Sequence, residues 1–212
     1  KGDVEDPMNY RGISLMSAVA KLFHLIIMRR LRRALDPFIC PNQNAYRPGR
    51  SCQQHIVAAA VLHQTAANYK DYPLHMLFVD FSKAFDSVDR GAMSKILLWW
   101  NIPVSLVDIM MQMLEEHRLF VRHEGKVSEE FVQPKNGVLQ GDTLAPYLFI
   151  LCIDVILQQL PEELGAQIEN TRDLDTLGAR INRGTTSRPG PPIKRLPSLG
   201  YSDDVVLLSN TP

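Results

Sequence analysis

The stretch LGYSDDVVLLS, residues 199–209, places two adjacent carboxylates between two apolar runs. The flanks favour two short strands, and Ser202-Asp203-Asp204 favours the tight turn that joins them. Asp is common in turns because its side chain bonds to nearby backbone, which explains one acid more easily than two. Two unit charges about 4 Å apart repel by about 4 kcal/mol at a surface-like dielectric constant. A cation between the carboxylates would offset this repulsion, so the pattern directs attention to any third carboxylate on a similar strand.

Such a third carboxylate ends the apolar run LHMLFVDF, residues 74–81. The run predicts a strand that is buried on both faces and central in its sheet, where an unpaired charge is rare. If this strand lies beside the hairpin, Asp80, Asp203 and Asp204 converge. Three carboxylates without histidine or thiol suit Mg²⁺. Two such ions about 3.5–4 Å apart can activate a hydroxyl and stabilise a leaving phosphate.

Apolar spacing of three and four residues predicts helices elsewhere. The first covers 13–35 and ends before Pro37, with apolar positions Leu15, Val19, Leu22, Phe23, Ile26, Ile27 and Leu31. A capping box of Ser51 and Gln54 begins a second helix, which runs to about Asn68. Further helices are predicted over about 90–100, 104–116 and 147–160, with a hairpin at Glu124-Gly125 and a loop at 136–146 before the last. Residues 161–197, with five prolines and four glycines, predict a long, mobile insertion.

The composition, 45% hydrophobic and 22% charged, is typical of a soluble globular protein. The net charge is zero, but residues 1–50 carry nine Lys or Arg against four Asp or Glu, and residues 101–212 carry ten against fifteen. This gradient suits a polyanion at one end and a cation at the other, although a solvated basic helix explains the first half equally well. Scattered cysteines indicate a reducing compartment and no structural zinc, and the histidines lack ligand spacing. No apolar stretch reaches about 18 residues, so no membrane span is predicted.

Five stretches of the chain, in order, resemble motifs of reverse transcriptases, and more specifically those of non-LTR (LINE-type) retrotransposons. They are DPMNYRGISLMSAVAKLF (6–23), NQNAYRPGRSC (42–52), FVDFSKAFDSVDR (78–90), NGVLQGDTLAP (136–146) and YSDD (201–204). The resemblance implies an α+β right-hand polymerase fold, in which an antiparallel palm sheet with packed helices follows mainly helical fingers. It implies fingers at 1–74, with a contribution from about 102–135, and palm at 75–212. A thumb is not expected within this chain.

The same resemblance assigns the metal ligands. Asp80, Asp203 and Asp204, with the backbone carbonyl of Phe81, are expected to hold two Mg²⁺ ions, with Mn²⁺ as an alternative. Asp86 and Asp89 are interpreted as structural or helix-capping acids, and Asp154, inside a predicted apolar helix, as a structural residue.

Nucleotide and template roles also follow from the resemblance. Arg11 and Lys1 are expected to grip the triphosphate, where cations offset charge in the transition state. Gln140 and Gly141 resemble the loop that lines the incoming nucleotide, and Phe85 resembles the aromatic steric gate that excludes a ribose 2′-OH. The last assigned residues, expected to contact the template backbone, are Arg47 and Arg50.

The resemblance therefore predicts an RNA-directed DNA polymerase that extends a primer 3′-OH with dNTPs, with an RNA template and a DNA primer as partners and no membrane. We expect an intracellular protein of the nucleus or cytoplasm, in a parent polypeptide that also carries a thumb and an endonuclease, and weak activity from these 212 residues alone. Phe85 argues against an RNA-dependent RNA polymerase. A non-catalytic or domesticated RNA-binding relative and a group II intron or retron-type enzyme stay open, although NYRGISL and FSKAFD favour the retrotransposon branch.

Overall fold

The computed structural model of the chain describes Asp3, Asp6 and Tyr10 together with residues 12–68, 73–161, 165–168 and 194–211. The chain forms two compact units that interleave along the sequence. The first comprises Lys1–Ile39, Tyr46–Pro48 and Phe81–Val155, and the second comprises Cys40–Ala45, Gly49–Asp80 and Ile156–Pro212. These units are not the contiguous ranges predicted for fingers and palm, and that assignment stays a prediction.

The second unit is built on a three-stranded antiparallel sheet. Its strands lie in the order β1 (His75–Val79), β7 (Asp204–Ser209) and β6 (Ser198–Tyr201). Tyr201 pairs with Asp204, so Ser202 and Asp203 form a two-residue turn between β6 and β7. The hairpin predicted from LGYSDDVVLLS is therefore confirmed.

The prediction that β1 is central and buried on both faces is wrong. Among the described strands, β7 is the central strand and β1 lies at an edge. Leu77 and Phe78 of β1 are 61% and 75% exposed, whereas Val205 and Leu208 of β7 are buried. A short apolar run does not itself reveal which strand gains two partners, and here β7 pairs on both sides.

A small apolar core supports this sheet. Its buried members are Leu62, Ala166, Leu199 and Leu208. Leu62 belongs to helix α2 (Cys52–Asn68), which begins as predicted, with Gln54 Oε1 accepting the Ser51 N–H. Ala166 belongs to β4 (Ala166–Ile168), which pairs with β5 (Lys194–Leu196). These two strands lie within the predicted insertion, and residues 162–164 and 169–193 fall outside the described residues.

The first unit is mainly helical, and its most buried side chains come from four helices and the loop before the last of them. Its described elements are α1 (Ala18–Leu35), α3 (Ala84–Ser87), α4 (Arg90–Trp99), α5 (Val104–Glu115), the hairpin of β2 (Leu119–His123) and β3 (Lys126–Val132), and α6 (Ala145–Gln158), whose end enters the second unit. Asp89 caps α4 by accepting the Ala92 N–H, which confirms its predicted capping role. None of the helices described in this chain has the length and apolar character needed to cross a membrane.

Helix α1 differs from its prediction in its start and in its buried face. It begins at Ala18, where the Ser17 hydroxyl accepts the Ala20 N–H, so residues 13–17 are not helical. Several of the apolar positions on which the helix prediction rested are exposed, namely Leu15, Val19, Leu22, Phe23 and Ile26. The buried face consists of His24, Ile27, Met28, Leu31 and Leu35. Apolar residues cover much of the circumference of α1, so periodicity alone left the buried face ambiguous.

Candidate functional site

The strand register brings the three predicted metal ligands to one end of the sheet. Val79 pairs with Val205, so Asp80 and Asp204 are the next residues at that end of β1 and β7. Asp203 lies in the adjoining turn. All three acids belong to the second unit. Pairing of distant segments thus produces the juxtaposition that the sequence predicted.

The side chains of these acids face solvent to different degrees. Asp80 and Asp204 are exposed, and Asp203 is half-buried. Within the described part of the chain, no three His, Cys, Asp or Glu side chains form a group that could hold a metal ion. The backbone therefore brings the acids to neighbouring positions without gathering the carboxylates into a chelating cluster, which fits the mutual repulsion of like charges. As all-oxygen donors they fit the chemistry of Mg²⁺.

A fully buried glutamine holds the turn that carries the acids. Gln43 Oε1 accepts the Ser202 N–H at 3.1 Å and the Ala45 N–H at 3.0 Å. Gln43 Nε2 lies 3.4 Å from the Ser202 carbonyl oxygen. Beside it, the Gly200 N–H donates to Asn42 and the Gly200 carbonyl accepts from Asn44. Residues 42–45 thus lie along the hairpin and hold its backbone through hydrogen bonds.

The predicted steric gate, Phe85, lies in the first unit on the short helix α3. Its ring is half-buried and stacks on Phe149, with centroids 4.5 Å apart and planes at 15°. Its carbonyl accepts the Val138 N–H at 2.9 Å, and the Val88 carbonyl accepts the Gly137 N–H at 2.8 Å. Ring stacking and backbone hydrogen bonds together hold Phe85 against α6 and the loop that precedes it.

Gly137 and Arg90 fix the close contact between the Phe85 segment and the loop that precedes α6. Gly137 has a φ of +75°, and a Cβ there would lie 2.6 Å from both the Phe85 carbonyl oxygen and Asp86 Cα. Buried Arg90 donates from Nε to the Gly137 carbonyl at 3.0 Å and from Nη2 to the Asn136 carbonyl at 3.4 Å. Only glycine fits this close backbone approach.

The loop of Gln140 and Gly141 is held at its other end. The Gln140 carbonyl accepts the Ser14 N–H at 2.7 Å, and Gly141 has a φ of +107° with a Cβ position that would collide with the Ser14 carbonyl oxygen. Asp142 Oδ1 lies 2.5 Å from His24 Nδ1 and accepts the Leu144 N–H at 2.9 Å. His24 and Asp142 are both buried. This pair ties the loop to α1.

The two template arginines have different surroundings. Arg47 is buried and its guanidinium bonds to the Asp36 carboxylate at 3.0 Å and to the Asp36 carbonyl at 2.8 Å. This geometry gives Arg47 a structural role after α1, and its template contact stays a prediction. Arg50 is exposed, and its Nη1 donates to the Pro41 carbonyl and to Asn44 Oδ1. Lys1 and Arg11 lie outside the described residues.

The whole chain, residues 1–212, matches the family model described as reverse transcriptase (RNA-dependent DNA polymerase). The chain belongs to the reverse transcriptase family. The family resemblance inferred from the five motifs is thereby confirmed.

The relatives of this reverse transcriptase chain include proteins of retrotransposable elements. It is 31% identical over 165 residues to the retrovirus-related Pol polyprotein from type-2 retrotransposable element R2DM of Drosophila melanogaster, in a match that covers 77% of the chain and 15% of the polyprotein. It is 33% identical over 150 residues to the probable RNA-directed DNA polymerase from transposon BS of the same organism, with 68% and 16% covered. It is 25% identical over 210 residues to a Pol polyprotein from type-1 retrotransposable element R2 of Popillia japonica, with 99% and 26% covered. The chain thus spans about a quarter or less of these relatives.

A solved structure shares the fold of this reverse transcriptase chain. It is apo telomerase from Candida tropicalis, truncated from the C-terminal domain, with a TM-score of 0.54 and 12% identity. The match covers 91% of this chain and 34% of the telomerase chain. The likeness supports a polymerase fold, and the predicted α+β class is confirmed.

Three supporting features were not predicted from the sequence: Gln43, Arg90 and the His24–Asp142 pair. Gln43 and Asp142 lie within the stretches that resemble family motifs. The available signal was therefore that each is a polar residue in such a stretch with no assigned role. His24 lies among apolar residues at helical spacing, and nothing in the sequence connects it with a residue 118 positions away.

Proposed function

We propose that this chain is the catalytic part of an RNA-directed DNA polymerase of a retrotransposon, which extends a primer 3′-OH with dNTPs on an RNA template. The observation that carries the proposal is the register of β1, β7 and β6, which sets Asp80, Asp203 and Asp204 at one end of a sheet in a member of the reverse transcriptase family. Family membership supplies the reaction class, and the acid positions supply the chemistry that the reaction needs.

In this proposal Asp80, Asp203, Asp204 and the carbonyl of Phe81 hold two Mg²⁺ ions, with Mn²⁺ as the alternative. When bound, such ions activate the attacking hydroxyl and stabilise the leaving pyrophosphate. The carboxylates of the chain provide the negative charge that binds the ions, and the exposure of Asp80 and Asp204 leaves room for substrate phosphates to complete the ligand set.

Selection of deoxynucleotides is proposed for Phe85. The Phe85 ring stacks on Phe149 and the Phe85 carbonyl accepts the Val138 N–H, so this side chain cannot yield easily to a ribose 2′-OH. Gln140 and Gly141 are proposed to line the nucleotide, because buried contacts fix their loop. Lys1 and Arg11 are proposed for the triphosphate on the strength of the family resemblance alone.

Template contact is proposed for exposed Arg50, and its phosphate contacts would make binding salt-dependent. The proposal also assigns fingers to 1–74 and palm to 75–212. It includes a thumb and an endonuclease in the parent polypeptide and an intracellular location.

Primer extension on an RNA template by the polypeptide that contains this chain, with dNTPs and rNTPs in separate reactions, tests the proposed function. We expect Mg²⁺-dependent extension with dNTPs and a loss of at least about 100-fold in Asp203→Asn, since even partners of metal ligands contribute about 10- to 100-fold. The matched control is Asp108→Asn, which removes an exposed carboxylate from α5 and should retain the wild-type rate. RNA binding without extension by the wild type would contradict the proposal and favour a non-catalytic RNA-binding relative.

A further inference from the structure

Gln43 occupies an unusual position for a polar side chain. It is 0% exposed, and its amide lies against both backbone groups of one residue, Ser202, as well as against the Ala45 N–H. A buried amide with several partners constrains the groups that it bonds, because breaking any of these bonds leaves a buried polar atom unsatisfied.

Ser202 is the residue that most needs such a constraint. It has a φ of +61°, in the left-handed region that a non-glycine residue rarely adopts. Its backbone conformation sets the direction in which the chain continues into Asp203 and Asp204. The Ser202 hydroxyl is itself buried and, within the described residues, has no hydrogen-bond partner, so the observed constraint comes through the backbone.

The other contacts of residues 42–45 restrict the backbone of the hairpin next to the turn. Gly200 exchanges backbone hydrogen bonds with Asn42 and Asn44 at 2.8 and 2.9 Å. A Cβ at Gly200 would lie 3.2 Å from Gln43 Nε2 and 3.3 Å from Leu157 Cδ1. The hairpin therefore packs against residues 42–45 in one position, with little room for a larger residue at Gly200.

We propose that Gln43 is a positioning residue for the turn of the catalytic acids. Its amide holds Ser202 in the left-handed conformation, and this conformation sets the backbone positions from which Asp203 and Asp204 would hold the metal ions. The inference rests on the proposed function. Gln43 itself touches neither the ions nor the nucleotide in this account, so its loss should weaken metal binding and lower kcat, while KM for dNTP stays within about twofold.

The test uses Gln43→Met, which keeps the length of the side chain and removes the amide, in the polypeptide that contains this chain. We expect kcat to fall about tenfold or more, since a small misplacement of reacting groups can cost about 100-fold. Electron paramagnetic resonance of added Mn²⁺ should show a Kd raised about tenfold, at a site that Asp203→Asn abolishes. Gln43→Glu, which keeps acceptor oxygens but loses the donor to the Ser202 carbonyl, should shift both quantities in the same direction.

A double variant separates positioning from general damage. Glycine adopts a positive φ without strain, so adding Ser202→Gly to Gln43→Met should restore part of the lost kcat and Mn²⁺ affinity. Leu62→Ala is the control, because it opens a cavity in the core of the same unit and should lower Tm without changing the Mn²⁺ Kd.

Two results would overturn the inference: wild-type kcat and Mn²⁺ affinity in Gln43→Met, or an equal loss of Mn²⁺ affinity in Leu62→Ala. Absence of primer extension by a wild type that binds Mn²⁺ would contradict the proposed function, and the Mn²⁺ measurements would still decide the role of Gln43.

Discussion

The turn of Ser202 and Asp203 and the loop of Gln140 and Gly141 are both held by buried polar side chains, but through different chemistry. In the second unit a neutral amide, Gln43, bonds the backbone of the turn itself. In the first unit a carboxylate and an imidazole, Asp142 and His24, tie the loop to a helix. The turn leaves its acids accessible to ions, whereas backbone contacts on both sides constrain the loop. The two regions therefore should respond differently to substitution.

The largest difference should appear at glycines. Gly141→Ala would place a methyl group against the Ser14 carbonyl at a positive φ, so the loop must move, and we expect dNTP use to fall about 100-fold. Gly125→Ala is the matched control, because Gly125 has a φ of +81° with no atom near its Cβ position. Steady-state extension by both variants measures the difference. Equal losses would show that backbone strain, and not the fit against Ser14, governs the loop.

Substitutions at Phe85, the proposed steric gate, should have a smaller effect, which is confined to discrimination between deoxyribose and ribose. Phe85→Val should reduce the preference for dNTP over rNTP about tenfold, because the missing ring opens space for the 2′-OH. Phe149→Leu removes the stacking partner and should reduce the preference about threefold without altering the gate residue. Competition assays with both nucleotides measure the ratio, and Leu148→Val, buried on the same helix, is the control. An unchanged ratio in Phe85→Val would mean that Phe85 serves packing alone.

Much of this arrangement could be predicted from the sequence. Apolar runs around Asp80 and the Asp203-Asp204 doublet were sufficient to predict the hairpin and, once β1 pairs with β7, the neighbouring backbone positions of the three acids. The edge position of β1 and the buried face of α1 could not be predicted. The position of β1 and the buried face of α1 both depend on which other elements pack against them. Leu77 and Val19 are as apolar as core residues, so their composition does not show that they are exposed. Gln43 and His24 were missed because their partners lie 159 and 118 residues away.

The His24–Asp142 pair should be more important for stability than for chemistry. Asp142→Ala leaves His24 and the Leu144 N–H without their acceptor, and we expect about 2 kcal/mol lower free energy of unfolding. Urea denaturation measures this loss. His24→Asn retains an N–H donor near the position of Nδ1 and should be less destabilised than His24→Ala. Equal destabilisation of the two His24 variants would contradict a hydrogen-bonding role.

The smallest effect concerns acid pH in the first unit. Burial, offset in part by attraction to Asp142, lowers the pKa of His117 below its usual 6.5. The folded chain then binds fewer protons than the unfolded chain, so stability is retained above pH 6.5 and falls as the pH drops below that value. His117→Gln should make the free energy of unfolding less steep between pH 6.5 and 5. An unchanged slope would remove His117 from the acid sensitivity of this unit.

Mg²⁺-dependent primer extension by Asp80→Asn, with the melting temperature recorded on the same sample, tests whether the three acids form one ion site. We predict a loss of extension of at least about 100-fold, because Asp80 supplies one carboxylate of the proposed ion site. We also predict an unchanged or raised melting temperature, since removing one of three neighbouring charges relieves repulsion. Extension at the wild-type rate by a folded Asp80→Asn variant would contradict the proposal that the end of β1 and the β6–β7 turn form one catalytic centre.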